Sequence, residues 1–288
     1  MSPGAQGRIA PGRIAPGRIA RRFEALRAER RAGLIVYALA GDPDPETSAK
    51  LIKRLAAAGA DLIEIGLPAA RPVKDGAFIR AAHRRARAAG VDEAATLKLV
   101  RKARKRDPDV PLVLMGYRET VRRAEAAFFK AAAKAGADAV LIADADIEWL
   151  EAHDGAARAA GLDLIRLVTP DDDDAALARL LRGAHGFVYY ATVAGPTGGA
   201  TAAAEDLERA LAKLRGVTTL PVAAGFGIKS PDQAAAAARH ADAVVVGSAL
   251  TERVTARLGG AGGGRNEVVE GVLEAVRALA GAIGQSGS

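Results

Sequence analysis

The sequence predicts a single-domain α/β fold, a (β/α)8 TIM barrel, and three observations carry that prediction. Short, nearly unbroken apolar runs recur eight times along the 288 residues, as parallel strands covered on both faces require. Longer alanine-rich stretches with helical spacing lie between them. Glycine-rich turns follow the last three runs, at the end of a barrel where phosphate groups are commonly held.

In chain order the strands are expected at Leu34–Leu39, Leu62–Ile65, Pro111–Met115, Ala139–Ile142, Leu162–Val168, Gly186–Tyr190, Leu220–Ala223 and Ala243–Val246. Helices are expected at Thr47–Ala58, Glu93–Lys105, Val121–Ala135, Ala175–Leu181, Ala204–Leu214 and Gln233–Arg239. Asp92 and the pair Ser230-Pro231 supply an acceptor or a proline at a first helical turn. One join occurs twice, as Ala57-Ala58-Gly59-Ala60-Asp61 and as Lys134-Ala135-Gly136-Ala137-Asp138. In each, glycine ends a helix just before a buried strand. These boundaries give a barrel over residues 22–258.

The two ends differ from this middle. Residues 7–20 repeat Gly-Arg-Ile-Ala-Pro in tandem, and proline at every fifth position forbids a helix. Residues 1–21 are therefore expected to form a disordered basic extension. Residues 259–265 form a glycine-rich linker to a C-terminal helix and tail, 266–288, with Val268, Val269, Val272, Val276 and Leu279 on one side.

Composition narrows the chemistry. There is no cysteine, which excludes disulfides, thiolate nucleophiles and thiolate metal sites. The four histidines, His83, His153, His185 and His240, lack ligand spacing, so no metal site is expected. The net charge of +7 is concentrated in the first 31 residues, where eight arginines face Glu24 and Glu29. The rest is close to neutral, without the basic stripe of a nucleic-acid binder. No apolar run suits a membrane span, and the chain is expected to be cytoplasmic.

Glu64 is the most informative residue. It interrupts the strand Leu62-Ile63-Glu64-Ile65-Gly66, where a carboxylate costs several kcal/mol unless it is paired, hydrogen-bonded or protonated. Alternation puts Ile63 and Ile65 on one face and Leu62, Glu64 and Gly66 on the other. Glu64 is then expected to project into the barrel mouth, within reach of water, where partial burial raises its pKa toward neutral. The alternative is an ion pair with a nearby Arg or Lys. Asp75 follows on a loop stiffened by Pro68 and Pro72, either as an acceptor held over the mouth or as a solvated turn residue beside Gly76. The three glycine-rich ends are Ala194-Gly195-Pro196-Thr197-Gly198-Gly199, Gly225-Phe226-Gly227-Ile228 and Val246-Gly247-Ser248-Ala249. They predict phosphate held by backbone N–H groups and a helix N-terminus, with the Ser248 hydroxyl beside them.

Residues 22–258 resemble the tryptophan synthase alpha chain family. The matching stretches are Ala40-Gly41-Asp42-Pro43-Asp44, Ile63-Glu64-Ile65-Gly66-Leu67-Pro68, Lys74-Asp75-Gly76, Leu114-Met115-Gly116-Tyr117, Thr197-Gly198, Gly225-Phe226-Gly227-Ile228 and Gly247-Ser248-Ala249, in matching order and spacing. The resemblance implies retro-aldol cleavage of indole-3-glycerol phosphate to indole and glyceraldehyde 3-phosphate, without a metal or organic cofactor. It also implies transfer of indole to a pyridoxal-phosphate-dependent beta chain. By the same resemblance Glu64 is the general acid/base and Asp75 accepts the indole N–H. Tyr37, Leu114 and Tyr117 line the indole pocket, Tyr189 is an active-site tyrosine, and Thr197, Gly198, Gly227, Gly247 and Ser248 hold the substrate's phosphate end.

The chain departs from the family pattern in places. Ala69-Ala70-Arg71-Pro72 replaces Phe-Ser-Asp-Pro, reversing a charge on a loop the family uses at the beta-chain contact, and Glu119 replaces an Asn. Thr192-Val193 replaces Ser-Arg, and Ala143-Asp144-Ala145-Asp146 replaces a proline-bounded turn, which predicts a less rigid loop. These departures motivate two other readings: a phosphate-binding barrel acting on another phosphorylated substrate, and a noncatalytic alpha-chain-like partner barrel.

Overall fold

Side chains alternate cleanly between two environments along every strand of the computed structural model, which describes residues 17–121, 125–191, 200–225, 227–258 and 264–285. The strands are β1 (Gly33–Leu39), β2 (Leu62–Gly66), β3 (Leu112–Gly116), β4 (Ala139–Ile142), β5 (Asp163–Leu164), β6 (Arg166–Val168), β7 (Val188–Ala191), β8 (Val222–Gly225) and β9 (Ala243–Val246). All pairings are parallel, in the order β5-β4-β3-β2-β1-β9-β8-β7-β6. The two ends of that order, β5 and β6, are halves of one stretch interrupted at Ile165. One half pairs with β4 and the other with β7. The run expected at Leu162–Val168 thus closes the cylinder by splitting its hydrogen bonds between two neighbours, giving eight staves.

The outer layer holds Leu34, Val36, Ile63, Ile65, Leu112, Leu114, Val188 and Tyr190 under the surrounding helices. The inner layer holds Ile35, Leu62, Val113, Leu141, Ile165, Tyr189, Ala223 and Val245. Small residues help fill this interior, as the low aromatic content requires. Helices begin where the sequence places acceptors: Asp92 accepts from Ala95 N–H at 2.8 Å and Ser230 from Gln233 N–H at 3.2 Å. The stretch expected as one helix, Thr47–Ala58, is a helix over Pro45–Ile52 followed by a 3-10 turn, Ala56–Ala58. The turn ends at Gly59, which has φ +109°, a conformation that favours glycine.

The N-terminal boundary needs correction. A helix spans Arg18–Ala28, so residues 18–21, assigned to the extension, belong to the folded unit. Residues 1–16 lie outside the described residues. Ile19, Phe23 and Leu26 of this helix are buried in the inner cluster, and the Phe23 and Phe187 ring centroids are 5.8 Å apart. The helix therefore plugs the N-terminal end of the barrel. The repeated Gly-Ala-Asp joins anchor it. Asp61 binds Arg22 and Arg31 and accepts Leu34 N–H at 2.7 Å. Asp138 binds Arg18 at 3.0 Å and Arg104 at 2.6 Å and accepts Leu112 N–H at 2.8 Å.

The last helix, Arg265–Gln285, begins one residue earlier than expected and buries Val268, Val269, Val272, Val276 and Leu279. It packs against the barrel's helices as part of the domain. Among the described residues, no helix is long and apolar enough to cross a membrane.

Candidate active site

The C-terminal ends of β1, β2, β3 and β7 converge on one group of polar side chains. Glu64 lies at the register level of Tyr37 on β1 and Val113 on β3, all three on inward-facing positions. It is fully buried, and neither carboxylate oxygen has a hydrogen-bond partner among the described residues. The open ion-pair alternative is thereby removed among the described residues. The Glu64 side chain faces inward, but it is enclosed and not within reach of water as the sequence implied. Burial alone pushes its pKa from 4.5 up to about 8. Near neutral pH Glu64 is a proton donor kept for lack of any better state.

Asp75 is a buried, held acceptor and not a solvated turn residue. Its Oδ2 accepts the Tyr117 hydroxyl at 2.8 Å and lies 3.1 Å from His83 Nε2. Tyr117 in turn accepts Lys74 N–H at 3.3 Å, so its hydroxyl is satisfied in both directions. Burial, followed by the Asp75 charge, raises the Tyr117 pKa and keeps the phenol neutral. Tyr37 and Tyr189 are buried inward-facing phenols whose pKa values lie well above the ordinary value. Burial is the main cause, and the carboxylates of Asp75 and Glu64 add to it. The Asp75 and Glu64 charges thus act on both phenols, and Tyr37 is the cross-strand neighbour of Glu64.

Two glycines make that packing possible. A Cβ on Gly66 would collide with the Tyr37 hydroxyl, and one on Gly225 with the Tyr189 hydroxyl. Gly66→Ala is expected to displace the Tyr37 ring, cost about 1–3 kcal/mol by overpacking and raise KM. A thermal melt and substrate titration of the variant check this.

Leu114 is a correction. It packs in the outer layer, on the helix side of β3. Its neighbour Met115 is half-buried and contacts the inner cluster and the Tyr37, Leu39 and Ile79 group. The resemblance supplied the right stretch, but strand alternation makes a one-residue offset change the face. His83 is a residue of this site to which the sequence reading assigns no role. Its signal was its place on the apolar stripe Ile79, Ala82, His83, Ala86 of the helix Ala77–Ala88, directly after the Asp75 loop.

The phosphate-end residues are divided. Thr197 and Gly198 lie outside the described residues. Gly227, with φ +76°, is exposed just beyond β8. Gly247 follows β9, whose neighbour is β8, and its carbonyl accepts Leu250 and Thr251 N–H at 3.0 Å each. Ser248 then opens the helix Ser248–Leu258, where the Ser248 and Ala249 N–H groups come before the first helical hydrogen bonds and lie at the positive end of the helix dipole. This suits an anion.

Two departures from the family pattern touch each other. Glu119 accepts Arg71 N–H at 2.7 Å and lies 3.5 Å from the Arg71 guanidinium, which stays 73% exposed. The loop after β4 is also better braced than expected. Asp144 accepts Arg118 N–H at 2.7 Å, and Asp146 pairs with the Arg118 side chain at 2.7 Å.

Comparison with known proteins gives a consistent picture. A family model described as tryptophan synthase alpha chain matches residues 23–281. The tryptophan synthase alpha chain of Gluconacetobacter diazotrophicus is 47% identical over 264 residues, 91% of this chain and 96% of the relative. That of a Caulobacter species is 48% identical over 237 residues, 82% and 86% of the two chains. Among solved structures, tryptophan synthase subunit alpha from Legionella pneumophila superposes with a TM-score of 0.86 at 30% identity, covering 93% of this chain and 99% of the other. A tryptophan synthase chain from Mycobacterium tuberculosis gives 0.82 at 29% identity, covering 94% and 100%.

Proposed function

This chain belongs to the tryptophan synthase alpha chain family and is a carbon–carbon lyase that cleaves indole-3-glycerol phosphate in tryptophan biosynthesis; from that premise we propose how its own residues perform the cleavage. Glu64, neutral before reaction, gives its proton to the ring carbon that carries the glycerol side chain. Asp75 accepts the indole N–H and stabilises the positive charge that spreads to the ring nitrogen. The side-chain hydroxyl on the adjacent carbon then yields its proton to the Glu64 carboxylate. As the carbon–carbon bond breaks, its electron pair returns to the ring and the hydroxyl carbon becomes the aldehyde of glyceraldehyde 3-phosphate. The proton given to the ring equals the proton recovered, and the enzyme is restored.

The observation that carries this reading is a buried carboxyl with both oxygens unpartnered among the described residues, in a barrel that also holds the hydrogen-bonded Asp75 carboxylate; burial pushes the Glu64 pKa up to about 8. An acid poised near the working pH is suited to give and retake a proton. Tyr37, Met115 and Tyr117 form the wall against the ring, Tyr189 closes the Glu64 side, and Gly227, Gly247 and Ser248 with Thr197 and Gly198 hold the phosphate. In an indole-release assay, Glu64→Gln is expected to lose about 10²–10⁴ in kcat. Equal turnover in both proteins removes Glu64 from the chemistry.

The proposed partner is a pyridoxal-phosphate-dependent beta chain that receives the indole, and the proposed compartment is the cytoplasm. The Arg71 guanidinium, 3.5 Å from Glu119 yet 73% exposed, is open to a further acceptor on that partner. Arg71→Asp is expected to weaken capture by the cognate beta chain in a pull-down, because like or unpaired charges at an interface cost several kcal/mol.

A further inference from the structure

We propose that His83 is the positioning residue that fixes the Asp75 carboxylate, leaving one oxygen for the substrate. The proposal rests on the reading of Asp75 as acceptor of the indole N–H.

His83 is 2% exposed on a helix stripe otherwise made of isoleucine and alanine. A ring with two polar nitrogens is costly there unless both are satisfied. Both are. Nδ1 is the acceptor of Ala69 N–H at 2.9 Å, and Nε2 faces Asp75 Oδ2 at 3.1 Å. A backbone N–H only donates, so Nδ1 carries no proton. The proton of the neutral ring therefore sits on Nε2 and is donated to Asp75. Tyr117 donates to the same oxygen at 2.8 Å, with its ring edge-on to the imidazole at a centroid distance of 6.3 Å.

Two consequences follow. First, Oδ2 is engaged by two donors, whereas Oδ1 accepts nothing among the described residues. The carboxylate is thus divided into an anchored oxygen and a working oxygen, and its rotation about the Cβ–Cγ bond is stopped. Second, one imidazole grips both ends of the loop that carries Asp75. Ala69 at the root is buried, while Val73 in the middle is 69% exposed, so the loop has little core of its own. The other backbone ties, from Glu119 to Arg71 and from Tyr117 to Lys74, hold its middle and end. Among the described residues, only His83 joins the buried Ala69 to the Asp75 carboxylate.

Side-chain chemistry separates the two halves of this role. Asparagine at position 83 keeps an acceptor where Nδ1 lies but is too short for Asp75. Glutamine carries an amide N–H out to where Nε2 lies and gives up the Ala69 contact. His83→Gln is expected to keep kcat within about threefold of the wild type. His83→Asn and His83→Ala are expected to lose about tenfold or more, as for a hydrogen bond to a charged group. The loss falls on kcat with KM little changed, because Asp75 acts on charge that develops in the transition state. Thermal melts of each variant accompany the kinetics. ¹⁵N spectra of the wild-type protein with labelled histidine are expected to show one ring of the four protonated at Nε2 only and lost in His83→Gln.

Asp75→Asn is measured in parallel. If it turns over like the wild type, the reading of Asp75 fails and the His83 proposal falls with it. If Asp75→Asn is impaired while His83→Asn turns over normally, the positioning proposal alone is overturned. Equal losses in His83→Gln and His83→Asn, or a His83 ring protonated at Nδ1, also overturn it. These last readouts do not depend on His83→Ala folding.

Discussion

Glu64→Gln is expected to stabilise the folded chain as it removes turnover, with the gain growing as the pH rises. The folded protein holds the Glu64 proton up to about pH 8, whereas the unfolded chain releases it near 4.5. Below the unfolded value both states are protonated and the group has no effect. Between the two values the unfolded state is ionised and solvated while the folded state remains neutral, so the wild type loses stability through this window. Above about pH 8 the loss levels off. At about 1.4 kcal/mol per pH unit, the deficit is roughly 3 kcal/mol at pH 7. Glutamine does not titrate. Urea unfolding from pH 4 to 7 is expected to show the two proteins diverging by that amount, with the variant ahead. Parallel curves would mean that Glu64 has a partner or water that neutralises its burial. The same ionisation makes wild-type kcat/KM fall above about pH 8, where the donor form of the free enzyme is lost.

This expectation explains why Glu64 was legible in the sequence. A carboxyl in an apolar strand is a local contradiction, and burial on an inward-facing position resolves it only by protonation. Alternation along Leu62–Gly66 identified the face correctly because a two-residue period leaves no intermediate option. The same rule exposed the error at Leu114: the resemblance selected the stretch, but only the closed sheet shows which of Leu114 and Met115 looks inward. Asp75 was ambiguous because a loop has no periodicity. Its partners, Tyr117 and His83, lie 42 and 8 residues away along the chain and meet it only through the fold. The helix Arg18–Ala28 was obscured by the repeat that runs into it. Its burial depends on the barrel's open N-terminal end, which no local pattern announces.

That plug supplies the second large effect. Asp61→Ala is expected to destabilise the protein by about 2–4 kcal/mol. The carboxylate is buried and accepts from Arg31 at 2.9 Å, from Arg22 and from Leu34 N–H at 2.7 Å. Burial opposes its ionisation, but the hydrogen bonds from Arg31 and Arg22 outweigh this and hold its pKa below the ordinary carboxylate value. The stabilisation is therefore full above the unfolded pKa and is lost as the pH falls through the lower folded one. In the alanine variant the two guanidiniums, about one quarter exposed, turn to water, which limits the penalty. Leu34 N–H is fully enclosed and is left without an acceptor, which sets the lower bound. Asp61→Asn keeps that acceptor and is expected to cost less than alanine. Because Arg18 and Arg22 stand one helical turn apart on the same helix and bind Asp138 and Asp61, the loss is directional: hydrogen exchange quickens first across residues 18–28, ahead of the strands. A wild-type urea midpoint in Asp61→Ala, or exchange that quickens uniformly, would show that the hydrophobic plug of Ile19, Phe23 and Leu26 holds this end of the barrel without its ionic ties.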